Sequence, residues 1–521
     1  MRLLNYFPEN YQPTDIQVDV LNRISTAVNS KKKFIVCAAP TGSGKSFIGK
    51  TIANVTDNHK ESFKQFINQY NFNEECSNNG AFILTVTKKL QDQYNDFFSD
   101  IVSCKGKNNF KCSIDKHLTC DIGLCAGDIS IKHECLSQDA CPYYNQKRKA
   151  MLSKISTLNY EQFLSLELPL TKRDIIICDE ASELEGKLVE YGTIKIDTNE
   201  LKKIGIKIFS FPTTNTSYDW LQEIGVQINE YILKQKKKVG SLNQSELAKL
   251  ALMQNLIEKI DLAIEAWNDS DYILTHEIHT TEWVFTPTYI RHHAKLIFDS
   301  ANTIILMSAT IIDHKTFANT LGIKDYEYIE VKSPFDPKKA PIYLSSKFKL
   351  NYSNLKSNLP YIVDFIKKIC EHHGSERGII HTHTQYIADF IKANYPTDRL
   401  LVRTEKVSNE QILDIHEQCK NSILVSPSLT HGVDLKGDLA RFQIIVKTPW
   451  LPLGDERVKK LANIDRQWYV SKMFSTLIQS CGRGVRSVDD ECVTYILDGA
   501  VIPLIHQYKS ILPEYFIDRI Q

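Results

Sequence analysis

Short β-branched runs alternate with amphipathic stretches along most of the 521-residue chain. Strands buried on both faces of a parallel sheet, each followed by a covering helix, produce that pattern. The first run, Phe34-Ile35-Val36-Cys37, follows an amphipathic stretch in which Val18, Leu21, Ile24 and Val28 share a face, with Thr14 or Asp15 as N-cap. Further strands are predicted at Ala81 to Thr87, opening into a helix at Lys88 to Tyr94, at Asp174 to Cys178 and at Thr303 to Met307. Beyond about residue 340 the alternation starts afresh, with strands at Gly378 to Thr382, Ile423 to Ser426 and Phe442 to Lys447. The pattern therefore predicts two α/β units. Two stretches interrupt the first. Residues 100–155 are polar with little periodicity, and residues 189–290 carry weak strand signals around a long helical stretch, Gln244 to Trp267.

Composition narrows the class. With 42% hydrophobic and 24% charged residues the chain is globular in type, and 521 residues exceed what one core accommodates. A net charge of +1 excludes a global polycation, so any nucleic-acid site has to be a local groove. No basic-plus-apolar leader pattern opens the chain and no apolar run reaches a membrane span. The expected location is the cytosol, cytoplasmic or nucleoid-associated or in a host, with no membrane partner. There the thirteen cysteines need a reason other than disulfides. Six of them, Cys104, Cys112, Cys120, Cys125, Cys135 and Cys141, fall in one window where even scatter would place about one.

The chemistry begins directly after the first strand, at Ala39-Pro40-Thr41-Gly42-Ser43-Gly44-Lys45-Ser46. This is phosphate-loop spacing in its strand–loop–helix context. Gly42 and Gly44 let backbone N–H groups turn toward phosphate oxygens, with Thr41 and Ser43 in the same loop, while Lys45 reaches the β/γ-phosphates and Ser46 a Mg²⁺ ion. The strand Ile175-Ile176-Ile177-Cys178 delivers Asp179 and Glu180, the Walker B arrangement, with Asp179 toward Mg²⁺ and Glu180 toward the attacking water. Gln17 lies where its amide can meet an adenine edge. Thr85-Val86-Thr87-Lys88 puts hydroxyls and an amine at a sheet edge suited to backbone phosphates. Ser308-Ala309-Thr310 ends a strand beside the Walker B pair. Late in the chain Gln479-Ser480-Cys481-Gly482-Arg483-Gly484-Val485-Arg486 reads as helical, with Arg483 and Arg486 at i and i+3 on one face. The lysines at 234 and 236–238 read as a solvated loop. Four thiolates on loops suit zinc or an iron–sulfur cluster alike.

Taken together, APTGSGKS, TVTKKLQDQY, DEAS, SAT, GVDLKGD and QSCGRGVR, in that order, resemble the motifs of superfamily 2 helicases. Lys105 to Cys112, Cys141-Pro142-Tyr143-Tyr144 and Leu158-Asn159-Tyr160 are similar to the iron–sulfur XPD/DinG branch. The resemblance implies two RecA-like P-loop domains with ATP and Mg²⁺ between them, and an Fe–S cluster insertion and a helical arch insertion in the first. It divides the chain into helicase domain 1 at 1–99, 156–188 and 291–325, the cluster domain at 100–155, the arch at 189–290, and helicase domain 2 at 326–521. It implies Cys112, Cys135, Cys141 and Cys125 as ligands of a 4Fe-4S cluster, with Cys120 the alternate, Asp434 near the nucleotide, and Gln479, Arg483 and Arg486 completing the site. The implied activity is ATP-dependent translocation on single-stranded DNA, 5′ to 3′, with unwinding of forked duplex by a monomer. An ATPase that remodels RNA–DNA hybrids or nucleoprotein without processive unwinding is the alternative. DEAS stands where many relatives have DEAH, which leaves the role of Ser182 open.

Overall fold

The computed structural model describes residues 2–56, 80–123, 125, 131, 134–135, 140–166, 172–238, 241–277, 279–351, 353–402, 409–427, 435, 437–485 and 489–521. The chain first lays down β1 (Phe34–Ala38), β2 (Ala81–Thr85), β3 (Val102–Ser103), β4 (Ile155–Asn159) and β5 (Arg173–Asp179). Next come β6 (Ile194–Asp197), β7 (Tyr272–His276), β8 (Glu282–Pro287), β9 (Ala301–Ser308) and β10 (Glu327–Glu330). The last six are β11 (Ile342–Phe348), β12 (Gly378–His381), β13 (Leu400–Val402), β14 (Ile423–Ser426), β15 (Phe442–Ile445) and β16 (Val493–Asp498).

Seven strands pair in parallel in the order β10-β1-β9-β5-β2-β4-β3, and six more in the order β11-β16-β15-β12-β14-β13. Both faces of the first sheet are covered. Successive side chains of a strand point to opposite faces, so Val36 of β1 enters one core with Ile176 and Cys178, while Ile35 and Cys37 enter the other with Ile175 and Ile177. Near-continuous apolar strands are the consequence, and they made this sheet readable.

At the edges of the two interrupting stretches the packing departs from the pattern. Ala150 and Met151 of the helix Pro142–Leu152 are buried in the first unit's core, so the insertion ends near Cys141 rather than at 155. Cys104 also belongs to that core, away from the other five cysteines. The β10 strand joins the first sheet beside β1, so that unit runs past 325, to about Val331. In the second interruption the helices Ser217–Lys236 and Gln244–Ser270 pack on a three-stranded antiparallel sheet, β6-β8-β7, which the sequence reading did not foresee. Its signal was present: Ile194 and Ile196 alternate with Lys195, as a half-buried strand requires. Lys234 and Lys236 close the first of those helices rather than lying in a loop. Among the described residues no helix is long and apolar enough to cross a membrane.

Candidate active site

The loop after β1 is anchored where β1 and β9 end together, the Ala39 N–H donating to the Ser308 carbonyl at 2.9 Å. Gly42 and Gly44 adopt left-handed φ of 81° and 78°. A side chain at either would also collide: a Cβ on Gly42 would stand 2.2 Å from the Phe335 ring, and one on Gly44 2.1 Å from Gln17 Nε2. Ser43 donates its hydroxyl to the Pro40 carbonyl at 2.7 Å, closing the turn from which the helix Lys45–Asn54 starts. Gln17 is held by a reciprocal cap. The Thr14 N–H donates to its Oε1 at 3.0 Å and its own N–H to Thr14 Oγ1 at 3.3 Å, leaving Nε2 against the loop.

Lys45 Nζ lies 3.4 Å from Glu180 Oε1 and 3.5 Å from the Ala39 carbonyl. Glu180 takes a left-handed φ of 51°, costly for a residue with a Cβ, which aims its carboxylate back over the loop. Asp179 is 2% exposed, and three groups fix it. Tyr94 OH donates to its Oδ2 at 2.9 Å, Tyr160 OH to its backbone carbonyl at 3.0 Å, and the Glu180 N–H to its Oδ1 at 3.0 Å. Burial first, and then the Glu180 charge, push the Asp179 carboxyl up, with Lys45 opposing. A buried carboxylate beside a second acidic side chain is relieved by a divalent cation, so the donors fit Mg²⁺.

Ser182, at the fourth position of DEAS, joins a chain of hydroxyls. Thr310 donates to Ser182 at 2.9 Å, Ser182 and Ser308 bond at 2.9 Å, and Ser308 donates to Glu180 Oε2 at 3.1 Å. The serine thus links the Ser-Ala-Thr strand end to Glu180. The second unit faces this assembly across a cleft lined by Thr41, Glu180 and Thr310 on one side and Gln479 and Arg483 on the other. Arg483 is 5% exposed. One reading is corrected here. The helix Arg466–Cys481 stops with Gly482 as its C-cap, so Arg483 leaves from a turn rather than from the helix. Gly482 and Gly484 end the helix; a Cβ on Gly484 would sit 2.2 Å from Cys492 Sγ. Arg486 and Asp434 lie outside the described residues.

The sequence reading missed two tyrosines behind Asp179 and the carboxylate of Glu185, one turn beyond DEAS. Glu185 is 5% exposed and accepts from Arg457 at 2.7 Å, Lys472 at 2.7 Å and Trp468 Nε1 at 3.1 Å, all from the second unit. Burial alone would raise the Glu185 carboxyl; Lys472 and Arg457 outweigh it and hold it near 2. Thr87 spends its hydroxyl on the Leu90 N–H as a helix cap, and Lys88 meets Asn109 of the insertion at 2.8 Å.

In the insertion an antiparallel bridge, Lys111 with Thr119, brings Cys112 and Cys120 alongside. Cys120 Sγ lies 3.9 Å from Cys141 Sγ. Among the described residues no three ligating groups are set in metal-binding geometry. The donor chemistry nevertheless fits a thiolate-bound metal. Burial and the neighbouring thiols Cys141, Cys135 and Cys112 push Cys125 up to about 11; burial, Cys141 and Cys112 push Cys120 up to about 12. Mutually disfavoured thiolates are the ligands a metal cation stabilises. Both candidates for the fourth place adjoin the same trio.

Two family models match. Residues 380–517 match the helicase C-terminal domain and residues 10–210 match the type III restriction enzyme, res subunit. The chain is 22% identical over 537 residues to the ATP-dependent DNA helicase XPD of Sulfolobus acidocaldarius, covering 90% of this chain and 93% of that one. A solved XPD helicase superposes with a TM-score of 0.63 at 17% identity, covering 96% of this chain and 98% of its own. The structure of S. tokodaii Xpd4 gives 0.58 at 12%, covering 98% and 99%. The fold is therefore the α/β arrangement of two RecA-like domains.

Proposed function

We propose that this chain, an XPD-type superfamily 2 DNA helicase that hydrolyses ATP, moves along single-stranded DNA from 5′ to 3′ and opens forked duplexes. The observation that carries this is the meeting, in one cleft, of Lys45, Glu180 and Thr310 from one sheet with Gln479 and Arg483 from the other. Two units that share one triphosphate close when it binds and part when it is cleaved. Thr41, Gly42, Ser43 and Gly44 cradle the phosphates, Lys45 leaves Glu180 for them, and Gln17 Nε2 meets the base. Ser46 and Asp179 would hold Mg²⁺, which when bound would neutralise phosphate charge. Freed of Lys45, Glu180 orients the attacking water, and Ser308, Ser182 and Thr310 hold it to that geometry. Arg483, with Arg486, meets charge developing on the γ-phosphoryl group.

Cys112, Cys135, Cys141 and Cys125, or Cys120 in its place, would hold a 4Fe-4S cluster. When bound it supplies structural order to a segment with a meagre core of its own. Among the insertion's described residues Cys120, Cys135 and Cys141 form a buried group with Tyr143 of the following helix, and Cys112 and Leu118 are also buried. That is too little to offset about 1–2 kcal/mol of ordering cost per residue. The insertion and the arch bracket the strand.

Duplexes with 5′ tails, 3′ tails and forks, in DNA and RNA–DNA, test the reading in the presence of ATP. The 5′-tailed and forked DNA should open. Opening only from 3′ tails would reverse the polarity, and hydrolysis without strand separation would favour a remodelling ATPase.

A further inference from the structure

Tyr94 is wholly buried in a helix, Lys88–Phe97, that meets both the nucleotide site and the cysteine insertion. Its hydroxyl passes under the P-loop helix, where a Cβ on Gly49 would stand 3.4 Å from it, and ends 2.9 Å from Asp179 Oδ2. The Ser46 side chain lies beside the same phenol. One phenol therefore bonds one side chain proposed to hold Mg²⁺ and adjoins the other. A turn earlier on the same face, buried Gln91 donates Nε2 to the carbonyls of Cys104 at 3.2 Å and Thr157 at 3.1 Å. Asp92 pairs with Lys105 at 2.7 Å and Lys88 bonds Asn109 at 2.8 Å. The helix is thus fastened at one end to the root of the insertion and at the other to Asp179.

We propose that Tyr94 is a positioning residue for ATP hydrolysis: its hydroxyl sets the Asp179 carboxylate for the metal, and its helix ties that setting to the cysteine insertion. A phenol suits the task because it donates one rigidly aimed hydrogen bond and carries no charge that would compete with the cation. Partners of this kind, one step removed from the ion, typically change metal affinity or activity by about 10–100-fold when lost. The inference rests on the reading of Asp179 and Ser46 as the Mg²⁺ side chains.

The test is Tyr94→Phe, which keeps the ring and removes the donor. Mn²⁺ binding to the ADP complex, followed by electron paramagnetic resonance, should weaken by about 10-fold or more. Binding of a fluorescent ADP without metal should stay at the parental level, and the Mg²⁺ concentration for half-maximal hydrolysis should rise. In a double cycle, Cys112→Ser should weaken Mn²⁺ binding in the parental protein and add little in Tyr94→Phe. Parental Mn²⁺ affinity in Tyr94→Phe would overturn the proposal, as would equal losses with and without metal, which mark a collapsed pocket. Additive losses in the cycle would overturn the tie to the insertion. If the parental protein itself binds no Mn²⁺ with ADP, the Mg²⁺ site and this inference fall together.

Discussion

The phosphate-loop side of the cleft and the cysteine insertion sit on the same first domain and are held together by opposite means. Around the cleft, side chains are fixed by the protein itself: Asp179 has partners at both carboxylate oxygens, and Lys45 rests on Glu180. The surrounding sheet supplies that order through cores on both faces. Preorganised polar groups in a dry site need little rearrangement when charge develops. The insertion inverts this. Among its described residues the backbone contributes one short bridge and a few turn hydrogen bonds, and the buried group is mostly thiols. In the proposed reading, order there would come from what the thiols bind. Damage at the cleft should therefore stop chemistry while leaving the fold intact. Damage at the insertion should stop work while leaving hydrolysis measurable at saturating Mg²⁺.

The largest effect is expected at the cleft. Lys45→Ala and Glu180→Gln should each lower DNA-stimulated ATP hydrolysis by about a hundredfold or more, with an unchanged circular-dichroism spectrum. Parental turnover in both would break the comparison at its first term. At the other pole, protein purified without oxygen should be brown, with about four irons per chain. Cys112→Ser should bleach it and abolish unwinding, yet leave ATP hydrolysis measurable. Substituting Cys120 and Cys125 singly should bleach only one of the two, which names the fourth ligand; a colourless protein with one zinc would replace the cluster but keep the contrast. The smallest effect concerns the seam between the domains. Glu185 is held well below its ordinary value in the folded chain, so its contribution is complete above about pH 4.5 and is lost as pH falls toward 2. About 3 kcal/mol of domain association should disappear over that interval. Acid titration of Glu185→Gln should lack this component; an identical acid transition in both proteins would detach Glu185 from the seam.

Local order was largely legible from the chain. Apolar runs such as Ile35-Val36-Cys37 and Ile175-Ile176-Ile177-Cys178 announce strands covered on both faces, and Thr14 with Gln17 announces a helix start. The phosphate loop and Asp179-Glu180 need only the neighbouring strand ends to bring them together, because parallel strands deliver their C-termini to one edge. By contrast β10 escaped notice: of Glu327-Tyr328-Ile329-Glu330 only Ile329 is buried, as an edge strand permits. Arg483 was read one turn too far into a helix that Gly482 ends.

By itself the sequence determined the strand–loop–helix units, the nucleotide chemistry and the gathering of cysteines, since each follows from spacing within a few residues. Tertiary structure alone decided that Ser182 completes a hydroxyl chain with Ser308, 126 positions away, and that Tyr94 stands behind Asp179, 85 positions away. It also decided that Glu185 finds Arg457 across 272 positions. Such pairings leave no local trace, because they depend on which sheet edges and helix ends the packed cores bring within hydrogen-bonding distance.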